Sequence, residues 1–354
     1  MRCGTQGYPS GRYSIVASKV AFITNSGGRF GLGHLSRCGS IAKQLVANGH
    51  EVQIFLGKES GPTEYEKSLG SIVHRLGKEL FATDHKGNQI IQSDLVQELE
   101  TERPDALFLD SYQIDTSLHS NISKWCHKTI VIDDLASNRF TCSHLINYAP
   151  TVSETDYSGR ITDSTELHLG LKFFPVPETL KSQKARTDRQ NYLAVCLGGS
   201  DTVGTTETLV RELKRCDIID EFEEIVVING LTSQKQSELD LGPKFRVLAQ
   251  PRDYTKLIGD ARVAITGAGV SALERLYMET PGIIMTAADN QRANFNYLTN
   301  SEIFIGYEPD RQGAAELNEL IKRGLTHSVR NTIIDGYGAN RIAAIVETEQ
   351  VQGS

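Results

Sequence analysis

"VAFITNSGGRFGLGHLSRCGSIAKQLVANGHEVQIFL", Val20 to Leu56, is the stretch on which the fold turns. The apolar run Val20–Thr24 predicts a buried strand, and Val52–Leu56 predicts another. Between them, glycines at 27, 28, 31 and 33 allow a sharp turn, because a residue without Cβ adopts backbone conformations closed to others. Leu35, Cys38, Ile41, Ala42, Leu45 and Val46 then share one face of a helix that Gly49 can end. Strand, glycine loop, helix, strand is the repeating unit of a parallel α/β sheet.

The same plan recurs outward from this unit. Ala106–Leu109 and Ile130–Ile132 read as further strands of the first half. In the second half "YLAVCLGGSD", "EIVVING" and "ARVAITGAG" each read as strand then turn, and "PGIIMT" as a buried strand. The alternation predicts an α/β protein with two doubly wound Rossmann-like domains. "LKFFPVPETLKSQKARTDRQN" carries prolines and then a charged run, which suits a linker. The expected division is an N-terminal extension at 1–18, a first domain at 19–178 and a second at 179–354. Open parallel sheets bind ligands beyond the carboxyl ends of their strands, so the glycine turns of both domains should line one interdomain cleft.

Composition removes several function classes. The 354 residues are 39% hydrophobic and 23% charged with a formal net charge of -7, leaving no broad basic field for nucleic acid or an anionic membrane. No apolar run approaches the ~20 residues that span a bilayer, so no stable membrane insertion is expected. The first residues lack the continuous apolar stretch of a signal peptide, and a cytoplasmic location is expected. The six cysteines, at 3, 38, 126, 142, 196 and 216, lack metal-ligand spacing and read as reduced, buried thiols. Neither a cofactor nor a metal is expected, and a monomer is compatible with the sequence.

His34 stands where the glycine loop becomes a helix. The positive end of the helix dipole disfavours imidazolium there, and a neutral imidazole is the state a general base needs. A histidine that merely caps the loop would sit in the same place, and spacing leaves both readings open. The loop itself lacks a Rossmann dinucleotide fingerprint, because Ser36 stands where the third glycine would fall. "TGAGVSALE" places Gly267, Gly269 and Ser271 at a strand end, where a helix N-terminus can hold a diphosphate, with Glu274 available for ribose hydroxyls. Ser271 and Glu274 could instead form a capping box. Gly198, Gly199 and Ser200 form a further turn able to face the same diphosphate. Asn290 and Gln291 follow a strand, where side chains reach a ligand or cap a helix. Asp133 and Asp134 read as loop-binding acids before they read as metal ligands.

In family order, "GLGHLSRC", "LDSYQID", "VIDDLASNR", "CLGGSD", "TGAGVSALE", "ADNQ" and "DGYGANRI" span nearly the whole chain. Together they resemble the UDP-2,4-diacetamido-2,4,6-trideoxy-beta-L-altropyranose hydrolase family of pseudaminic acid biosynthesis, in a group that includes spore-coat polysaccharide proteins. The resemblance implies a GT-B-like fold and a UDP-sugar substrate. It implies metal-independent attack of water at the anomeric carbon, releasing UDP in surface-polysaccharide biosynthesis. It implies that His34 is the catalytic base and that Tyr112 and Asn290 line the substrate site. Gly31, Gly33, Arg37 and Gln291 stand with them as substrate-site candidates. Leu273 departs from the family's tryptophan before Glu274, and Thr141 and Ser143 depart from its histidine and aspartate around Cys142. A GT-B glycosyltransferase, a non-catalytic nucleotide-sugar binding protein and, more distantly, a nicotinamide oxidoreductase are the alternatives.

Overall fold

The computed structural model describes residues 17–26, 33–58, 63–84, 89–122, 125–181, 183, 188–198, 204–228, 233–249, 251 and 253–347. In chain order the first half contains β1 (Lys19–Thr24), β2 (Glu51–Leu56), β3 (Val73–Arg75), β4 (Phe81–Thr83), β5 (Gln89–Ile91), β6 (Ala106–Asp110), β7 (Lys128–Ile132), β8 (His144–Asn147) and β9 (Glu166–Leu169). The second half contains β10 (Gln190–Cys196), β11 (Glu224–Ile228), β12 (Phe245–Leu248), β13 (Ala261–Gly267), β14 (Gly282–Met285) and β15 (Ile305–Gly306).

Two parallel sheets result. The first runs β3-β2-β1-β6-β7-β8-β9 and the second β12-β11-β10-β13-β14-β15, while β4 and β5 pair as a small antiparallel hairpin outside both. In each sheet the strand order reverses at the first strand, between β1 and β6 and between β10 and β13. That is the doubly wound order, whose reversal opens a crevice at the carboxyl ends of the strands. The central strands are buried along almost their whole length, as expected for a parallel sheet covered on both faces. Phe22 on β1 and Phe108 on β6 stack with ring centroids 4.4 Å apart, so large side chains fill the space over the reversal.

The Gly33–Ala47 helix follows β1 and buries Leu35, Cys38, Ile41, Ala42 and Leu45. Val46, expected on that face, is 45% exposed, because one further residue rotates the side chain about 100° from Leu45 toward solvent. Gly49, at φ +94°, takes the left-handed turn that ends the segment. Cys38, Cys126, Cys142, Cys196 and Cys216 are free and buried. No helix among the described residues is long and apolar enough to cross a membrane.

The expected linker is a linker only in part. Leu171, Phe173, Phe174, Val176 and Leu180 are buried, because this segment passes beneath the Gly338–Glu347 helix. That last helix returns to the first half of the chain: Lys128 Nζ donates to the carbonyls of Ile345 and Val346, and Asn48 Nδ2 donates to Glu347 Oε1 at 2.8 Å.

Close backbone approach dictates glycine at 282. Gly282 has φ +138°, and an added Cβ would stand 1.9 Å from the Ala264 carbonyl oxygen on the neighbouring strand. Gly282→Ala is expected to cost at least ~2 kcal/mol through backbone strain and overpacking. Gly77→Ala, at a position with open space, should stay within about 0.5 kcal/mol. Urea unfolding midpoints of the two variants check this, with unchanged m-values confirming comparable unfolded states.

Candidate active site

A cavity of about 520 Å³ lies between the two sheets at the carboxyl ends of their strands, within the size range of small-molecule sites. Its first wall begins at the reversal of the first sheet. Asp110 ends β6 and is fully buried, with His34 and Arg37 on the helix that follows β1. Arg37 grips the Asp110 carboxylate with two donors, Nε to Oδ2 at 2.6 Å and Nη2 to Oδ1 at 2.5 Å. Its remaining amino group donates to Tyr148 Oη at 2.8 Å and to Asp134 Oδ2 at 3.0 Å. Burial alone would raise the Asp110 pKa, but the Arg37 guanidinium, with His34 and the hydrogen bonds from both adding to it, outweighs burial and holds the carboxyl well below the usual range.

This anchored carboxylate orients the histidine. Asp110 Oδ1 lies 2.6 Å from His34 Nδ1, with Arg37 Nη2 3.0 Å from the same nitrogen; the ionised carboxylate can only accept, which assigns the proton to Nδ1. Nε2 is then the lone-pair nitrogen, and no described residue bonds it. Tyr112 packs edge-on against the imidazole, with centroids 4.5 Å apart and planes at 79°, and its hydroxyl donates to Asp134 Oδ2 at 2.8 Å. Carboxylate below and aromatic edge beside it leave the ring little freedom.

The second wall sits at the reversal of the second sheet. Leu197 and Gly198 follow β10, and the Val270–Met278 helix follows β13. The N-cap of that helix is Gly269, and no side chain caps it. The capping box considered for Ser271 and Glu274 is therefore not formed: Ser271 Oγ turns back toward the Gly267 carbonyl at 3.4 Å, and Glu274 points elsewhere. Tyr254 Oη donates to Glu274 Oε1 at 2.8 Å, while Oε2 is buried without a partner among the described residues. Burial raises the Glu274 pKa to about 7, and the Tyr254 hydrogen bond only partly offsets it. A buried carboxylate oxygen of this kind is ready to accept from a ligand hydroxyl.

The candidates from the sequence distribute as follows. Gly33, His34, Arg37, Tyr112, Gly198, Gly269, Ser271, Glu274, Asn290 and Gln291 all line the cavity. Gly267 supports it from behind, since an added Cβ would stand 2.4 Å from the Leu197 carbonyl oxygen. Gln291 lies over the 267–269 turn, and its Oε1 accepts from Ala287 N at 3.0 Å. Gln291 occupies the N-cap position of the following helix, but no side chain makes a capping hydrogen bond there. Gly31, Gly199 and Ser200 lie outside the described residues. Arg37, a substrate-site candidate, commits its guanidinium to Asp110, Asp134 and Tyr148 and so positions other groups. Asp133 binds its own loop as expected, accepting from the amides of Leu135 and Ala136 and from Tyr157 Oη.

Asp110, Tyr148 and Tyr254 are not among the individual candidates from the sequence, and Asp134, expected to bind its own loop, instead accepts from Arg37 and Tyr112. Asp110 and Asp134 stand inside quoted motifs, and an acid as the last residue of a buried strand was a usable signal for Asp110. Tyr148 follows β8, a strand too short and polar to register.

No family model matches the chain. An uncharacterized protein of Methanocaldococcus jannaschii is 24% identical over 293 residues, which cover 77% of this chain and 57% of that protein. The chain thus spans little more than half the length of this relative. Among solved structures, MurG of Acinetobacter baumannii superimposes with a TM-score of 0.57 at 12% identity, covering 93% of this chain and 99% of that one. The glycosyltransferase SnogD of Streptomyces nogalater gives a TM-score of 0.58 at 14% identity, with 94% and 100% covered. The fold is GT-B. A Phytolacca americana enzyme complexed with UDP-2-fluoro-glucose and pterostilbene gives 0.55 at 13% identity, covering 94% of this chain and 93% of that one.

The raised Glu274 titration has a defined stability sign. A carboxyl whose folded pKa exceeds its unfolded value binds more protons when folded, so stability falls as pH rises from about 4.5 to about 7 and then levels. Glu274→Gln is expected to be more stable than the parent at pH 8, by up to ~3 kcal/mol, with the difference shrinking toward pH 4.5. Urea denaturation across this pH range measures it; a pH-independent difference between the two proteins would contradict the assignment.

Proposed function

We propose that this protein is an enzyme acting on a nucleoside-diphosphate sugar, in which His34 removes a proton from the nucleophile that attacks the anomeric carbon. The observation carrying this reading is the 2.6 Å contact between His34 Nδ1 and the buried Asp110 carboxylate, made at the mouth of a two-domain cleft. Asp110 holds the imidazole in the tautomer with a basic Nε2 and stabilises the imidazolium formed on proton uptake. Arg37 keeps Asp110 ionised inside the protein.

In the reaction proposed, the nucleophile's O–H proton passes to Nε2 as its oxygen bonds to the anomeric carbon. The bond from that carbon to the diphosphate oxygen breaks, and the nucleoside diphosphate leaves from the opposite face with inversion. The uncapped N-terminus of the Val270–Met278 helix and the turn after β10 suit the diphosphate, since helix amides and dipole favour negative charge. Glu274 Oε2 suits the ribose hydroxyls. UDP is the nucleotide implied by the motif resemblance, and one neighbour of this fold is complexed with UDP-2-fluoro-glucose while another, from a Streptomyces species, is complexed with thymidine diphosphate.

Transfer to an acceptor hydroxyl is the reading that the glycosyltransferase neighbours support. Transfer to water, with release of a diacetamido-trideoxy sugar, is the reading that the seven motifs support; the two differ in the nucleophile alone.

Incubation with a panel of UDP- and CDP-sugars, with and without acceptors, is the test. Nucleotide released only with acceptor identifies a transferase, release without acceptor a hydrolase, and tight binding with neither a binding protein. His34→Asn is expected to lower turnover by ~10²- to 10⁴-fold while leaving the donor Kd near the parent value. An unchanged rate in that variant would overturn the mechanism.

A further inference from the structure

On β8 and β9, outside the lining of the cleft, three metal-ligating side chains meet on one face of two neighbouring strands. His144 on β8 pairs in register with Glu166 on β9, and Ile146 pairs with His168. Parallel pairing puts all three side chains on the same face. His144 Nδ1 and His168 Nε2 are 3.2 Å apart. Glu166 Oε2 lies 3.7 Å from His144 Nδ1, and Glu166 Oε1 lies 3.7 Å from His168 Nε2.

The two ring nitrogens are within hydrogen-bond distance of each other, and all three ligand atoms also lie close enough to share one ion. Metal–nitrogen and metal–oxygen bonds of ~2.0–2.2 Å at tetrahedral angles put neighbouring ligand atoms ~3.4 Å apart. The carboxylate, at 3.7 Å from each ring nitrogen, is beyond direct hydrogen-bond reach yet needs only a few tenths of an ångström of adjustment to join them around one centre. The imidazoles are largely shielded, with side chains 10% and 11% exposed, whereas Glu166 is 67% exposed and free to swing. The His168 ring is further held edge-on to Phe173, with centroids 5.4 Å apart.

We propose that His144, Glu166 and His168 form a binding site for a single divalent transition metal, zinc by donor type. Two imidazoles and one carboxylate are a borderline donor set that suits zinc, with the fourth position left to water. None of the three side chains lines the cleft, whose lining from this strand begins at Asn147, and the metal is given no part in the chemistry proposed there. It joins β8 to β9, the edge strand from which the chain leaves the first sheet toward Phe173 and the Gly338–Glu347 helix. The site is therefore a clamp on the segment that leads to the second domain.

The test uses the full chain, stripped with chelator and then equilibrated with zinc chloride. The parent should take up one equivalent of zinc, show a higher Tm with zinc than without, and give the visible absorption of a tetrahedral site with cobalt(II). His168→Gln should lose the stoichiometric uptake and the Tm rise. Glu166→Gln, altered at an exposed side chain, should fold as the parent does and bind zinc more weakly by at least the ~10- to 100-fold that loss of an outer-shell partner costs. Absence of stoichiometric uptake by the parent overturns the proposal, leaving an imidazole pair that shares one hydrogen bond. Uptake unchanged in Glu166→Gln also overturns it, because the zinc would then sit elsewhere.

Discussion

The carboxylate of Asp110 is the point on which the candidate site depends. It is fully buried at the end of a central strand, and a lone charge there would be driven to neutralise. Arg37 prevents this by gripping both oxygens, at 2.6 and 2.5 Å, and is itself held by Asp134 and Tyr148. A buried ion pair of this kind pays heavily in desolvation, and a well-packed apolar cluster would serve stability as well or better. The geometry makes sense as a device for orientation, since the same carboxylate that Arg37 anchors is the one that directs His34.

The reversal of strand order supplies the place for that device. Helices leave β1 and β10 on one side and β6 and β13 on the other, so the carboxyl ends of these strands open onto free space. In the first half that space receives the charged cluster; in the second it receives the uncapped helix end and the half-paired Glu274. In the proposed reaction one half supplies the base and the other the donors and acceptors for an anionic, hydroxylated ligand. Return of the Gly338–Glu347 helix to the first half ties the two together, with Lys128 donating to its last carbonyls.

Some of this was legible without the structure. The apolar runs of β1, β2, β6, β7, β10, β11, β13 and β14 are strong enough to declare themselves, because a strand covered on both faces has few polar positions. Glycine turns at their ends marked the cleft, and His34 was singled out from its place after one of them. The short strands escaped: "HLIN" and "ELHL" carry His144, Glu166 and His168, whose polarity hides the β-period. Val46 was assigned to the core because periodicity defines an apolar stripe, while packing decides where its edge falls. The segment suited to a linker is packed at its front, where Phe173 and Phe174 are covered by a helix more than 160 residues further along, a contact that local composition does not contain.

By itself, then, the sequence determined the alternation of strand and helix, the two sheets and the ends at which a ligand would be met. These follow from local periodicity and from glycine's freedom, which act over a few residues. Tertiary structure alone decided the chemistry of His34, because the proton on Nδ1 is dictated by a carboxylate 76 residues away. It alone decided that Ser271 and Glu274 are not a capping box, because Tyr254 draws the carboxylate to itself across 20 residues. Hydrogen-bond partners separated so far in the chain are chosen by the packing of sheets and helices, and no local pattern contains them.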